Sequence, residues 1–196
     1  MSDPALRPPR KAAASWKPAV LLAMTLLVIG TVGWTAWRTD RMMRTDLQLH
    51  ARLAAGGLEI GNIEVLSGTA ADIGTPAYQY CKYRLARLRR AVPECRFIYL
   101  LGHRPDGRTF IYADSEPAGS PDESPAGQLY GEASPGFILA VTSGTELVEG
   151  PLSDRWGIWI TALAPVMGET PDRVVALLGM DIHARTWFRE IAIQAL

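Results

Sequence analysis

A run of 20 residues without an ionisable side chain, from Pro18 to Trp37, constrains this chain more than any other feature. A helix of about 20 apolar residues crosses the ~30 Å hydrocarbon core of a bilayer. Trp16, Trp34 and Trp37 lie at the two ends of the run, and tryptophan favours the membrane–water interfaces. The sequence therefore predicts a membrane helix over residues 18–37.

The charges that flank this helix predict its orientation. Four basic residues lie on its amino side: Arg7, Arg10, Lys11 and Lys17. Basic residues favour the cytoplasmic side, so we expect residues 1–17 to form a cytoplasmic tail and the main domain to be periplasmic. A cleavable secretory signal is the alternative, but its apolar core is normally shorter, and no convincing small-x-small site follows this one. The predicted localisation is the bacterial inner membrane, with a single pass in the chain as given.

The charge of the remaining chain argues against nucleic acid as a partner. The sequence carries 20 basic and 20 acidic residues, and residues 1–38 hold five of the basic and one of the acidic ones. That leaves 15 basic and 19 acidic residues for 39–196, a formal charge of −4. Because binding to nucleic acid needs a basic surface that neutralises phosphates, we do not expect this class of function.

Two cysteines, Cys81 and Cys95, could pair in an oxidising periplasm. Cys81 falls on the apolar stripe of a predicted helix, and ten further residues of that helix carry the chain about 15 Å away from it. Only four residues then remain before Cys95, a reach of at most ~13 Å. This geometry disfavours a disulfide, and we expect two buried thiols.

Apolar residues recur at intervals of three and four after the membrane run: Met43, Leu47, Ala51 (or His50), Ala54 and Leu58. The spacing predicts that the helix continues outward over 38–58 as a signalling helix. A stripe this narrow can pack on its own domain or on a twin helix in a parallel dimer. We expect a homodimer that forms through this long helix.

Residues 59–191 show the helix and strand patterns of one α+β domain. The predicted fold is an antiparallel sheet of about five strands, flanked by helices and preceded by the long helix. The assigned segments are short helices and a loop over 59–72, a helix over 75–91 whose basic residues from Lys82 to Arg90 form a solvated face, strands over 96–102 and 108–114, a proline-rich loop over 115–135, an apolar segment over 137–141 that fits a helix or a strand, strands over 158–166 and 173–182, and a helix over 184–196.

The last two strands carry the most informative polar residues. Gly179 precedes Asp181 by two places, which leaves open space beside a carboxylate on one strand face, and Trp159 and Thr161 share a face of the neighbouring strand. If these faces coincide, they form an aromatic wall and a carboxylate floor, as in many small-ligand pockets. The alternatives are that the tryptophans belong to the core, that Asp181 caps the next helix, and that Asp154 is a turn residue.

Several short motifs, in their order and spacing, resemble the extracytoplasmic PAS-like (Cache-type) sensor domains of bacterial membrane sensor histidine kinases. The motifs are Phe97-Ile-Tyr-Leu-Leu-Gly102, Asp106-Gly107, Phe110-Ile-Tyr-Ala-Asp-Ser-Glu-Pro117, Ser124-Pro-Ala-Gly-Gln-Leu-Tyr130, Gly150-Pro-Leu-Ser-Asp-Arg-Trp-Gly157 and Leu178-Gly-Met-Asp-Ile182. The resemblance covers 39–191. It implies a pocket on the sheet beneath the long loop, with Asp181 facing the ligand and Trp156 and Tyr130 walling it. It also implies that 192–196 begins a second membrane helix, truncated here, which would lead to an output module.

The leading functional expectation is a membrane-anchored sensing domain for a small polar metabolite, in particular one that bears an amine. Asp181, with Asp154 or Asp114, would balance its charge, Thr161 lies beside Asp181, and cation–π contacts would come from Trp156, Trp159, Tyr112 and Tyr130. No cofactor, metal site or catalytic module is expected. A dimerisation or partner-binding module is the alternative, and it requires Trp159 to fill the space beside Gly179 and backbone donors to satisfy Asp181. An extracytoplasmic enzyme is less favoured, because no pair of nucleophile and base can be named.

Overall fold

The structure, a computed structural model, describes residues 16–170 and 173–195. Its first helix, α1 (Lys17–Gly56), runs without interruption through the predicted membrane segment and the predicted signalling helix. By length and composition it can cross a membrane, and its apolar stretch packs against nothing else in the described chain. The basic tail lies outside the described residues except for Trp16 and Lys17, as does Leu196.

The sheet and its flanking helices confirm the predicted α+β fold. All five strands are antiparallel, in the order β2-β1-β5-β4-β3. The strands are β1 (Phe97–His103), β2 (Thr109–Asp114), β3 (Leu147–Ser153), β4 (Ile158–Met167) and β5 (Val174–His183). The remaining helices are α2 (Ile60–Glu64), α3 (Pro76–Ala91), α4 (Pro135–Ser143) and α5 (Ala184–Gln194), with a 3₁₀ turn at Ala70–Asp72.

One strand differs from the expectation. The segment 137–141, left open between helix and strand, lies in α4, and the fifth strand is β3, which the sequence pattern did not reveal. Gly150 and Pro151 interrupt β3, and the pairing with β4 shifts its register between Glu149 and Leu152. Proline is tolerated at a sheet edge, where one side of the strand needs no ladder partner.

The main core lies between one face of the sheet and the helices α1 and α3. The predicted stripe of α1 packs there, with Leu47, Ala51, Ala54 and Leu58 all buried. The stripe therefore packs on its own domain and not on a twin helix. Cys81 and Cys95 are both free thiols in this core, as expected, and burial raises their pKa to about 11 and about 12.

A smaller core lies on the opposite face of the sheet, where α4 packs Phe137 and Ala140 against Leu101, Leu163 and Leu177. Ser134 caps this helix, its hydroxyl accepting a hydrogen bond from the Phe137 N–H at 2.9 Å. Because α4 has only nine residues, it covers part of this face, and the loop 115–134 borders the rest.

The helix α3 has the predicted bounds, but part of its basic face is not solvated. The Lys82 side chain is only 12% exposed, and its Nζ lies 2.7 Å from Asp114 and 3.0 Å from Glu123. Arg89 lies 2.6 Å from Glu116. These acids belong to the end of β2 and the loop that follows, so the charge run fastens that loop to α3.

Candidate functional site

The strand register brings the predicted faces together. Thr161 pairs with Asp181 across β4 and β5, and Asp181 pairs with Phe97 of β1 on its other side. Glu149 of β3 pairs with Thr161. Paired residues point to the same face of a sheet, so Phe97, Asp181, Thr161 and Glu149 form one row across four strands.

Asp181 lies at the centre of this row and is 4% exposed. One carboxylate oxygen, Oδ1, accepts hydrogen bonds from Thr161 Oγ1 at 2.7 Å and from Tyr99 Oη at 3.0 Å. Within residues 16–170 and 173–195, no donor reaches Oδ2. Burial raises the pKa of Asp181 to about 7, against the lowering effect of the two hydroxyl donors. The cap of α5 is His183, whose ring nitrogen accepts from the Arg185 N–H, so the capping alternative for Asp181 is wrong.

The space beside Gly179 is filled, contrary to expectation. The ring of Tyr99, which pairs with Gly179 across β1 and β5, lies so close that a Cβ at position 179 would overlap it. Tyr99, and not Trp159, therefore occupies this notch. Burial and the nearby Asp181 raise the pKa of Tyr99 well above its usual value, which keeps its hydroxyl a neutral donor.

Asp154 organises the turn between β3 and β4. Its Oδ1 accepts from the N–H groups of Trp156 (2.8 Å) and Gly157 (3.0 Å) and from the indole Nε1 of Trp159 (2.8 Å). Trp156 stacks on Tyr130 of the long loop, with 6.4 Å between ring centroids. Asp154 thus has the predicted turn role, and it also fixes both tryptophans at the edge of the site.

Two small cavities adjoin this row, with volumes of about 30 and 40 Å³. Their shared wall consists of Tyr99, Leu101, Tyr130 and Asp154. The first also reaches Asp181, Trp156 and Asp114, and the second reaches Trp159, Thr161 and Glu149. Each is large enough for one or two water molecules. A metabolite-sized ligand needs a larger pocket, so its binding would require these walls to move.

Seven of the eight residues predicted for the site line these cavities, and Tyr112 does not. Tyr112 packs against the helix-covered core and contacts Phe110 edge-on at 4.7 Å. The simple alternation of strand faces places Tyr112 and Asp114 together, but the β1–β2 register shifts between Leu100 and Leu101. Tyr112 is the extra residue of this bulge, since Leu100 pairs with Ala113 and Leu101 with Ile111. The bulge interrupts the alternation of faces, which is why the structure does not bring Tyr112 to this site.

Asp114 lines the first cavity, yet its carboxylate is already satisfied. It accepts from Lys82 Nζ at 2.7 Å, the Ser124 N–H at 2.6 Å and the Glu116 N–H at 3.2 Å. These contacts hold both ends of the loop segment 115–124 against α3. Asp114 is therefore better placed to hold the loop above the site than to contact a ligand.

Sequence reasoning missed several polar residues of the site, among them Tyr99, Glu149 and Glu132. Tyr99 alternates with Phe97 and Leu101, which indicates a shared face, but nothing in the sequence shows that β1 lies beside β5. Glu149 accepts from Ser134 Oγ at 2.5 Å, and Glu132 pairs with Arg155 at 2.8 Å. Among the described residues, no group of three or more His, Cys, Asp and Glu side chains could hold a metal ion.

Comparison with known proteins gives similarity in structure and none in sequence. No family model matches the sequence, and no curated protein matches it either. The sensory domain of the Campylobacter jejuni chemoreceptor Tlp3 with isoleucine bound is similar, with a TM-score of 0.59, 16% identity, and coverage of 94% of this chain and 69% of that one. The same domain in complex with L-valine gives a TM-score of 0.57, 15% identity, and coverage of 94% and 69%.

A third structure of that sensory domain gives a TM-score of 0.53 at 16% identity, with coverage of 86% of this chain and 64% of that one. This chain therefore spans about two thirds of the length of the domains that it resembles. At such low identity the likeness concerns the fold. The chain has the fold of a chemoreceptor sensory domain, which confirms the predicted resemblance to PAS-like (Cache-type) sensors.

Proposed function

We propose that this chain is the small-molecule sensing part of a membrane-bound bacterial signal-transduction receptor of the sensor histidine kinase type. Its ligand is a small polar metabolite that bears an amine. The observation that carries the proposal is Asp181: a buried carboxylate on the floor of a cavity, with one oxygen held by two hydroxyl donors and the other available. A buried acid without a cationic partner is costly unless a bound cation compensates it.

The surroundings of Asp181 support an amine-bearing ligand. Tyr99, Tyr130 and Trp156 line the same cavity as Asp181 and Asp154. Aromatic faces attract ammonium groups by about 0.5–2 kcal/mol each. The Tlp3 sensory domain, which has this fold, binds isoleucine and valine, both of which carry an ammonium group.

The contacts around the site support transmission to the membrane. The loop over the cavity is fastened to α3 by Lys82 and Arg89. From α3, Arg84 Nη2 donates to the Gly57 carbonyl at 2.8 Å, at the end of α1. A ligand that holds the loop in a new position would therefore act on the helix that enters the membrane, to the extent that it prefers one of the two positions.

A dimerisation or partner-binding module is the second candidate. It is favoured by the exposed apolar residues Met42, Leu49 and Leu53 on the free face of α1, which are 59%, 44% and 64% exposed. The notch beside Gly179 is filled, as this candidate requires, although by Tyr99 and not by Trp159. One feature counts against it as the sole function: the donors to Asp181 are side-chain hydroxyls and not backbone groups.

We further propose that the sensing domain is periplasmic and the amino terminus cytoplasmic, because of the basic residues before α1. Labelling of single engineered surface cysteines in intact cells, in a Cys81→Ala/Cys95→Ala background, tests this. A membrane-impermeant maleimide should react at position 106 and not at position 7. The reverse pattern would invert the proposed topology.

A thermal-shift screen of the full chain in lipid nanodiscs, against amines, amino acids, carboxylates and purines, tests sensing. A ligand that binds only the folded state stabilises it by about 2.7 kcal/mol at a hundredfold excess over Kd. The rise should disappear in Asp181→Asn and persist in Asp46→Asn, which changes an exposed acid of α1. A flat screen with a folded, dimeric protein would favour the partner-binding module.

A further inference from the structure

The two cavities at the site are lined by acids, and none of the described residues that line them is basic. Three of the acids have cationic partners elsewhere: Asp114 pairs with Lys82, Asp122 with Arg96, and Glu132 with Arg155. The other three form no ion pair with any described residue: Asp154, Asp181 and Glu149. These three acids lie close enough to interact, since the negative charges of Asp154 and Glu149 both raise the pKa of Asp181.

Three backbone donors near the cavities are also occupied. The N–H groups of Trp156 and Gly157 are given to Asp154, and that of Ser124 is given to Asp114. A carboxylate ligand needs cationic or N–H donors to replace its water. The site therefore disfavours the carboxylate end of an α-amino acid, even though isoleucine and valine are bound by a domain of the same fold.

Two of the unpaired acids, Asp181 and Glu149, line different cavities, and the third, Asp154, lines both. Asp181 and Glu149 are both partners of Thr161, one on each neighbouring strand, so they stand two strand spacings apart, about 10 Å. Tyr99, Leu101 and Tyr130 complete the wall that both cavities share with Asp154. The site thus has one carboxylate in each cavity, Asp154 at their common wall, and aromatic and aliphatic side chains beside it.

We propose that the two cavities together select a slender organic dication, an unbranched α,ω-diamine, and reject α-amino acids. Binding requires the shared wall to move so that the two cavities join. One ammonium group then binds Asp181 and Asp154, the other binds Glu149, and the methylene chain lies along Tyr99, Leu101 and Tyr130. Glu149 keeps its hydrogen bond from Ser134 on Oε1 and offers Oε2 to the ligand. This inference rests on the proposed sensing function and names its ligand class.

Isothermal titration of the full chain in nanodiscs tests the inference with four probes: 1,4-diaminobutane, n-butylamine, 4-aminobutanoate and L-isoleucine. The first three share a four-carbon chain and differ at one end only. A second charge-assisted contact should make 1,4-diaminobutane bind at least about tenfold more tightly than n-butylamine. The two probes that carry a carboxylate, 4-aminobutanoate and L-isoleucine, should bind more weakly than 1,4-diaminobutane or n-butylamine.

Two variants separate charge from structure at the Glu149 end. Glu149→Gln keeps an acceptor for Ser134 and should lower the affinity for 1,4-diaminobutane about tenfold, to that of n-butylamine, whose own affinity stays unchanged. Ser134→Ala removes the hydrogen bond but keeps the charge, and should preserve the preference for the diamine. Asp181→Asn should weaken both amines.

The outcomes distinguish this inference from the function on which it rests. Equal affinity for 1,4-diaminobutane and n-butylamine, or tighter binding of L-isoleucine, would overturn the diamine selectivity and leave sensing intact. Failure of all four probes, with no hit in the wider thermal-shift screen, would overturn both.

Discussion

The indole Nε1 of Trp187 donates to Asp40 Oδ1 at 2.9 Å, which joins α5 to α1 just beyond the predicted membrane segment. Asp40 also pairs with Arg44 at 2.9 Å, and the Arg44 guanidinium lies over the Trp187 ring. Arg44 in turn donates to the Gly150 carbonyl of β3 at 3.2 Å. The last helix, the first helix and the edge strand of the site therefore meet at one point.

Loss of this junction should loosen α5. Trp187 is 1% exposed, and Trp187→Phe removes its hydrogen bond and part of its packing, at a cost of about 1–3 kcal/mol. Hydrogen exchange should accelerate at the amides of α5 and around Asp40. Phe188→Leu, at the exposed neighbouring position, serves as the control and should leave exchange unchanged. Equal effects of the two substitutions on hydrogen exchange would show that this junction does not stabilise α5.

The raised pKa of Asp181 predicts a pH dependence of stability. Between the ordinary value of 3.8 and about 7, the folded protein keeps the proton that the unfolded chain has lost. The free energy of unfolding should therefore fall as pH rises through this range, by up to about 1.4 kcal/mol per unit from this group, and the loss should be complete above pH 7. Denaturation of the wild type and Asp181→Asn at pH 5 and pH 8 checks this. The variant lacks this carboxyl group, and the contributions of the other ionisable groups cancel in the difference between the two proteins. A constant difference between the two proteins would refute the raised pKa.

Gly179→Ala should destabilise the sheet, because the added methyl group meets the Tyr99 ring. Overpacking of this kind costs about 1–3 kcal/mol. Chemical denaturation measures the change, and Gly131→Ala is the matched control, since a Cβ there meets nothing within 4 Å. If Tyr99 can swing out of the notch, the two variants will be equally stable, and the notch is then an opening that a ligand can use.

The ion pairs of Lys82 should hold the loop over the site. Lys82→Met leaves Asp114 buried without its cation, and breaking a buried pair costs about 3–5 kcal/mol. Amides of the loop 115–124 should then exchange faster than in the wild type. Arg87→Met, which removes an exposed cation whose only described contact is Tyr83, should change nothing. Unaltered exchange in Lys82→Met would mean that the loop is held by other contacts.

The sequence predicted the parts of this fold that local signals specify. The bounds of α3 follow from Thr75-Pro76 at its start and Pro93 after its end, and the structure agrees. Strand alternation placed Trp159 with Thr161 on one face and Gly179 with Asp181 on another, and the β4–β5 register shows that the two faces coincide. Both inferences needed only neighbouring residues or consecutive strands.

What the sequence did not predict depends on contacts between distant segments. Tyr99 fills the notch at Gly179 because β1 lies beside β5, about 80 residues later in the chain, and no local pattern indicates that neighbour. Glu149 was missed because Gly150 and Pro151 disguise an edge strand. Tyr112 was misplaced because it is itself the extra residue of a bulge in the β1–β2 ladder, which interrupts the alternation of faces.

The central position of β5 has a mechanical consequence. Asp181 is followed by Ile182 and His183, and α5 begins at Ala184. The floor of the site and the helix that returns to the membrane junction are thus one covalent segment with no intervening loop. If a cation binds at Asp181 as proposed, a twist at the end of this strand would pass directly to α5, because no loop separates the two elements.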